Sequence, residues 1–128
     1  MKKHLIHGGA AGVLAAIASI IFLNIYKKLY FVDFSAVIDE VAVMASSIIG
    51  CVLMALGYII LDKIKKPNLY GAMNLLIMVL CFLSIVPVMG MTLPLEVEFP
   101  ELFPGMVVPM HFFPAVSYFG LIPFFNKK

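Results

Sequence analysis

The sequence predicts an all-α, polytopic membrane protein with four transmembrane helices in an antiparallel bundle, the fourth helix kinked by proline. Four apolar stretches contain no Asp, Glu, Lys or Arg, and each can cross about 30 Å of hydrocarbon at about 1.5 Å per helical residue. Hydrophobic residues make up 63% of the chain and charged residues 12%. We therefore expect residues 1–128 to form a single transmembrane domain with spans at 8–25, 41–61, 69–89 and 107–125.

The first span begins like a secretory signal, because Lys2 and Lys3 precede an apolar run. That run continues to residue 25, which is long enough for a full span, so we expect a retained first helix. Small residues follow one narrow stripe at 100° per residue, at Gly8, Gly12 and Ser19. Such a stripe predicts close packing against another helix.

The second span repeats the small-residue pattern at Ser46, Gly50 and Gly57. No helix breaker separates it from the preceding segment, so we expect the helix to begin early, with Asp33 or Ser35 as its N-cap. The two stripes could meet each other or another subunit. Because four helices are too few to enclose a pathway alone, we expect a homo-oligomer.

The third and fourth spans differ in their proline content. Pro67 starts a very short turn that should make spans two and three antiparallel neighbours, with Asn74 as a hydrogen-bond donor between helices. Pro109, Pro114 and Pro123 in the fourth span each remove a backbone donor. The fourth span should therefore be kinked or partly broken, with its bends facing other helices or a wet cavity.

The lysines predict the orientation. Two lysines, Lys27 and Lys28, fall on one side of the predicted spans. The other seven share the opposite side: Lys2, Lys3, Lys63, Lys65, Lys66, Lys127 and Lys128. The positive-inside rule then predicts a multi-pass protein of the cell membrane with both termini cytoplasmic, embedded in the lipid bilayer.

Composition argues against several functions. All nine basic residues are Lys and none clusters with aromatic residues, so no nucleic-acid partner is expected. Cys51 and Cys81 form no CxxC motif and should be packed thiols, and we expect no metal or cofactor. A Cu(I) site at Met106, Met110 and His111 is the alternative. It is less favoured, because Met is an ordinary filler of apolar space.

The candidate ligand or ion site lies at the outer end of the fourth span. His111 should face inward, on the same helix face as Tyr118, since ionisable residues within spans usually face the bundle interior or water. Asp39, Glu40 and Glu101 are predicted at a similar or shallower depth. We expect one of these carboxylates within reach of His111, as a proton or cation site or as a structural lock.

Three functions stay open, because no motif names a reaction or a substrate. The chain could be a small transporter or channel, an accessory or structural subunit without transport, or a membrane enzyme acting on lipid or quinone through His111 and an acid. Enzymatic activity is the least favoured. A cavity that reaches His111 would favour the first or third function, and a closed bundle the second. His4 and His7 are expected to be interfacial residues.

Overall fold

The computed structural model describes residues 2–125, in which all regular secondary structure is helical. Predictions that concern Met1, Lys127 and Lys128 lie outside these residues. Two short 3-10 turns, Pro67–Leu69 and Pro100–Leu102, precede α3 and α4. The helices are α1 (Lys2–Tyr30), α2 (Glu40–Lys63), α3 (Tyr70–Gly90), α4 (Phe103–Met110) and α5 (Phe113–Phe125).

The all-α class is confirmed, and so are four helical segments long and apolar enough to cross a membrane. Their bounds are Lys2–Tyr30, Glu40–Lys63, Pro67–Gly90 and Pro100–Phe125. This is the pattern of a multi-pass membrane protein. We call the end that holds His4 the histidine end, and the end that holds the 31–39 and 91–102 connections the loop end.

The small-residue stripe of α1 lies against α2. A methyl group added at Gly8 would come within 2.7 Å of the Ala55 Cβ, and one added at Gly12 within 2.9 Å of the Ile48 Cα. Only glycine allows the two backbones to approach this closely. Since α2 of the same chain covers this stripe, the stripe gives no argument for homo-oligomerisation, which stays a prediction.

The small residues of α2 face other elements. A methyl group added at Gly50 would meet the Pro114 ring of α5 at 3.7 Å, and one added at Gly57 would overlap the Met73 side chain of α3. The thiol of Cys51, between them, lies 3.5 Å from the Pro114 carbonyl oxygen. Helix α2 therefore contacts α1, α3 and α5 within one chain.

The predicted early start of α2 at Asp33 or Ser35 is wrong. The N-cap is Asp39, whose carboxylate accepts a hydrogen bond from the Ala42 amide at 2.6 Å. The preceding segment cannot continue the helix because Phe34 is fully buried and packs edge-on against the Phe103 ring. Because this ring is buried, the backbone of the connection between α1 and α2 turns towards the core at the loop end.

Asp33 instead stabilises the turn around Phe34. Its carboxylate accepts hydrogen bonds from the Ser35 amide at 2.9 Å and the Ser35 hydroxyl at 3.0 Å. The Lys27 ammonium nitrogen lies 3.4 Å from an oxygen of the Asp33 carboxylate. The bonds from Ser35, assisted by Lys27, hold the pKa of Asp33 below its ordinary value.

Two apolar clusters fill the interior. The first occupies the middle and the histidine end and is built on small residues, among them Ala11, Ala15, Cys51, Ala55 and Ala115. The second occupies the loop end and includes Leu23, Phe34, Val43, Phe103 and Met106. Helix α3 contributes little to either, since its buried residues are Ile77 and Cys81.

The fourth spanning segment consists of two helices. Helix α4 ends at Met110 and α5 begins at Phe113, so His111 lies in the two-residue interruption. The His111 and Phe112 amides donate to carbonyls three residues earlier rather than four. Pro114 has no amide proton to offer the Met110 carbonyl, which accounts for the break. The bend predicted from the prolines stays a prediction.

Candidate functional site

His111 contacts α3 through a serine. Its Nδ1 lies 3.1 Å from the Ser84 hydroxyl oxygen, which is also 2.7 Å from the Cys81 carbonyl oxygen. A serine hydroxyl has one proton, and the carbonyl can only accept. When Ser84 donates to the Cys81 carbonyl, it accepts from His111 Nδ1, and Nε2 of the neutral imidazole is then a hydrogen-bond acceptor.

A polar cavity of about 90 Å³ adjoins His111. Ser19 of α1 and Ser46 and Ser47 of α2 contribute its hydroxyl groups. Ser46 and Ser47 both donate to the Val43 carbonyl oxygen, at 3.0 and 2.9 Å. The Ser19 hydroxyl is fully buried and has no hydrogen-bond partner among the described residues. We call this space the His111 cavity.

A larger space of about 460 Å³, which we call the apolar groove, lies beside the His111 cavity. The two share Ser46, Ser47, Met110 and His111 as lining residues. The rest of the groove is mainly apolar and lies between α2 and α3, with contributions from α5: Leu53, Met54, Met73, Ile77, Leu80 and Pro114. Together the two spaces have a polar end and an apolar body.

The carboxylates predicted to accompany His111 lie elsewhere. Asp39 caps α2, and Glu40 and Glu101 are exposed. Within residues 2–125, no carboxylate lies within hydrogen-bonding or ion-pair distance of His111. Tyr118 lines a different cavity, because seven residues of helix separate it from His111 by about 10 Å.

This different cavity, of about 130 Å³, lies at the histidine end. His4 and His7 are buried, with exposed fractions of 9% and 2%, and their expected position at the membrane interface stays a prediction. Both histidines line the cavity because their i, i+3 spacing places them on the buried face of α1. We call it the His/Tyr cavity; its other polar lining residues are Tyr58, Tyr70, Asn74 and Tyr118.

Three hydrogen bonds join side chains around the His/Tyr cavity. His4 Nε2 lies 2.8 Å from a carboxylate oxygen of Asp62, and the Tyr70 hydroxyl donates to the other oxygen. The Tyr58 hydroxyl donates to the Asn74 side-chain oxygen. Asn74 thus joins α2 to α3 as an acceptor, whereas the sequence suggested a donor.

One residue that lines the His/Tyr cavity, Tyr118, has a buried hydroxyl without a hydrogen-bond partner among residues 2–125. His7 Nε2 donates to the Tyr118 carbonyl oxygen at 2.8 Å. The Tyr118 side-chain hydroxyl, in contrast, is buried without a hydrogen-bond partner among the described residues. Tyr118 is 1% exposed, so this hydroxyl is removed from solvent.

Five rings form a nearly parallel column through this region. His7 lies between Phe125 and Tyr118, with centroid distances of 4.8 and 4.1 Å. Tyr58 continues the column at 5.4 Å from Tyr118, and His4 ends it at 6.1 Å from Tyr58. Interplanar angles from 9° to 24° make these offset stacks. Residues of α1, α2 and α5 are thereby held in one array.

A sequence signal for the His/Tyr cavity existed. Extending the small-residue stripe of α1 back by one turn from Gly8 reaches His4, which places that histidine on a helix-packing face. The tyrosines come from three other helices, so their convergence could not be read from spacing within one segment.

Metal-ligand residues do not gather in the described part of the chain: residues 2–125 hold no group of three or more His, Cys, Asp or Glu side chains placed to bind a metal. Cys51 and Cys81 are both buried free thiols. The fold and its cavities define a small helical protein with four spanning-length segments and two separate polar cavities. Comparison with protein-family models, curated proteins and solved structures gave no match.

Proposed function

We propose that this protein is a small multi-pass transporter that binds an apolar molecule with a hydrogen-bonding end, such as a long-chain or isoprenoid alcohol. The polar end of that molecule would occupy the His111 cavity. One observation carries the proposal: Ser19 lines this cavity beside the apolar groove, and its hydroxyl is fully buried without a partner among residues 2–125. The proposal includes an antiparallel bundle in the cell membrane with cytoplasmic termini.

The polar end suits a hydroxyl group. A buried hydroxyl without a partner costs about 1–3 kcal/mol, so Ser19 favours an occupant with which it can form a hydrogen bond. Nε2 of His111 is an acceptor when Nδ1 donates to Ser84. A ligand hydroxyl could donate to one of these groups and accept from the other.

The apolar groove suits the body of such a ligand. Its volume of about 460 Å³ is within the usual range of small-molecule sites. Met54 and Met73 line it, and their flexible side chains adapt to chains of different shape. Helix α3 buries only Ile77 and Cys81 among the described residues, so lateral access from lipid is possible beside it.

Photolabelling tests the binding site. A diazirine-bearing long-chain alcohol, added to the protein in lipid nanodiscs, should label groove residues such as Leu80. Ser19→Ala and His111→Ala should each lower labelling by a factor of about three to ten, the value of one hydrogen bond. Ser117→Ala is the matched control, because Ser117 is also buried but lines neither space. Equal labelling of all four proteins would contradict the proposal.

Transport is tested separately in proteoliposomes. A fluorescent long-chain alcohol on the inner leaflet should reach the outer leaflet faster with the wild-type protein than in empty liposomes. His111→Ala should remove this acceleration while Ser117→Ala retains it. If the protein binds the alcohol but does not move it between leaflets, it is a binding protein, and the proposal that it is a transporter is contradicted.

An accessory subunit without transport is the second candidate. The sparse burial of α3 favours it, because large apolar side chains such as Leu75, Phe82 and Val86 are exposed along this helix. These could contact another membrane protein or a second copy of the chain. If the purified protein neither binds nor moves the alcohol, the accessory function becomes the better explanation. No comparable observation favours an enzyme acting at His111.

A further inference from the structure

We propose that the His/Tyr cavity is a second, separate binding site, for a small neutral ring that carries oxygen, such as a phenol or the head group of a quinone. The proposal does not depend on the function of the His111 cavity. It stands on the size and lining of the cavity and on the Tyr118 hydroxyl, which is buried and has no hydrogen-bond partner in the described part of the chain.

The cavity has the size of one six-membered ring. Its volume is about 130 Å³, and an engineered apolar cavity of about 150 Å³ binds benzene. Most of the wall is aromatic, since His4, His7, Tyr58, Tyr70 and Tyr118 all line it. The faces of His7, Tyr58 and Tyr118 are already stacked on neighbouring rings, so a planar ligand would have mainly ring-edge contacts available.

The unpaired groups select for oxygen on that ring. The Tyr118 hydroxyl has a proton without an acceptor among the described residues. The Asn74 oxygen accepts from Tyr58, which leaves the two amide protons of Asn74 as further donors. His7 donates through Nε2 to a carbonyl, so Nδ1 of the neutral ring is an acceptor. A carbonyl or hydroxyl oxygen on the ligand could use these donors.

The cavity favours a neutral ligand over an ion. Its lining consists of His, Tyr, Asn and Ile side chains. His4 already faces the Asp62 carboxylate at 2.8 Å. The Asp62 carboxylate in turn also accepts from Tyr70. Lys2 and Lys3 are exposed at the chain end and do not line the cavity.

Fluorine NMR tests the proposal with two matched probes. Para-fluorophenol and fluorobenzene are titrated against the full chain in nanodiscs, with empty nanodiscs correcting for partition into lipid. Wild-type protein should bind the phenol about five- to tenfold more tightly than fluorobenzene. Tyr118→Phe keeps the stacked ring but removes the hydroxyl, and it should abolish this preference while leaving the melting temperature nearly unchanged.

Tyr26→Phe is the control, since it also removes a hydroxyl, but one that donates to the Leu102 carbonyl at the loop end. This variant should keep the full preference for the phenol. A preference that persists in Tyr118→Phe, or no saturable binding to wild type, overturns the proposal. If a short-chain quinone analogue displaces the probe, the ligand is identified as a quinone head group. If phenol displaces the probe and the quinone analogue does not, the ligand is identified as a free phenol.

Discussion

Single residues on one face of α1 decide how closely it approaches α2. Gly12 lies opposite the Ile48 backbone, and Gly8 opposite Cys51 and Ala55. The same face continues to His4 and Ser19, which line the His/Tyr cavity and the His111 cavity respectively. The close contacts of Gly8 and Gly12 with α2 fall between these two levels. These single residues therefore determine how closely α1 packs against α2 at a level between the two cavities.

Gly12→Ala should destabilise the protein. The new methyl group would lie 2.9 Å from the Ile48 Cα, and a backbone atom cannot move aside as a flexible side chain can. Overpacking of this kind costs about 1–3 kcal/mol, measurable by unfolding in mixed detergent micelles. Gly9→Ala is the control, because no atom lies within 4 Å of the added methyl group. If the two variants were equally stable, Gly12 would not be in close contact with the Ile48 backbone.

At the scale of elements, the 31–39 connection determines where α2 begins. Phe31 has a positive φ of 54°, which ends the path of α1, and Phe34 then enters the core. Asp39 is left at the position where α2 can start and caps it. This use of Asp39 explains why its carboxylate is not beside His111.

Asp39→Ala should lower the free energy of unfolding by about 0.5–2 kcal/mol, the usual cost of losing an N-cap. The Ala42 amide would lose its acceptor. Asp39→Asn retains an oxygen that can accept this bond, so its stability should stay close to wild type. Thermal unfolding followed by circular dichroism compares the three proteins. Equal destabilisation by Asn and Ala would assign the effect to charge rather than capping.

Phe34→Ala should have a larger effect, about 3–5 kcal/mol, because it empties a fully buried site next to Phe103. Phe31→Ala is the matched control from the same connection, since Phe31 is 90% exposed. Denaturant unfolding in micelles should separate the two variants clearly. A small effect at position 34 would mean that the connection does not anchor the loop end.

At the scale of the whole molecule, charge is distributed unequally between the two ends. Five of the described lysines accompany the histidine end, among them Lys63, Lys65 and Lys66. The loop end carries Lys27 and Lys28 together with exposed acids such as Glu98. This asymmetry underlies the expected orientation, in which the histidine end faces the cytoplasm.

Cysteine labelling measures this orientation. In a Cys51→Ala, Cys81→Ala background, Glu98→Cys should react with a membrane-impermeant maleimide in intact cells. Lys65→Cys should react only after the membrane is permeabilised. Both positions are exposed, so access to reagent depends on the side of the membrane rather than on burial. The opposite labelling pattern would invert the topology and the depth of both cavities.

Much of the fold could be predicted because long apolar stretches and prolines act locally. Four spanning-length helices follow from stretch length, and the change from α4 to α5 falls among the prolines expected to disturb the fourth span. The start of α2 could not be predicted, because it depends on Phe34 contacting Phe103, almost seventy residues later. For the same reason, Ser84 was not foreseen as the partner of His111, and the role expected of His111 stays a prediction.

The sequence by itself determined the helical class, the four spanning-length segments and the lysine asymmetry, since hydropathy and charge are properties of each segment alone. Only the tertiary structure decided which polar groups meet. It joined His111 to Ser84 and left the Ser19 hydroxyl without a partner among residues 2–125. It also gathered histidines and tyrosines from four helices into one cavity. Such contacts depend on how each helix is rotated and how far apart the helices lie. Many weak packing interactions between different segments set these quantities together, so no single segment determines them.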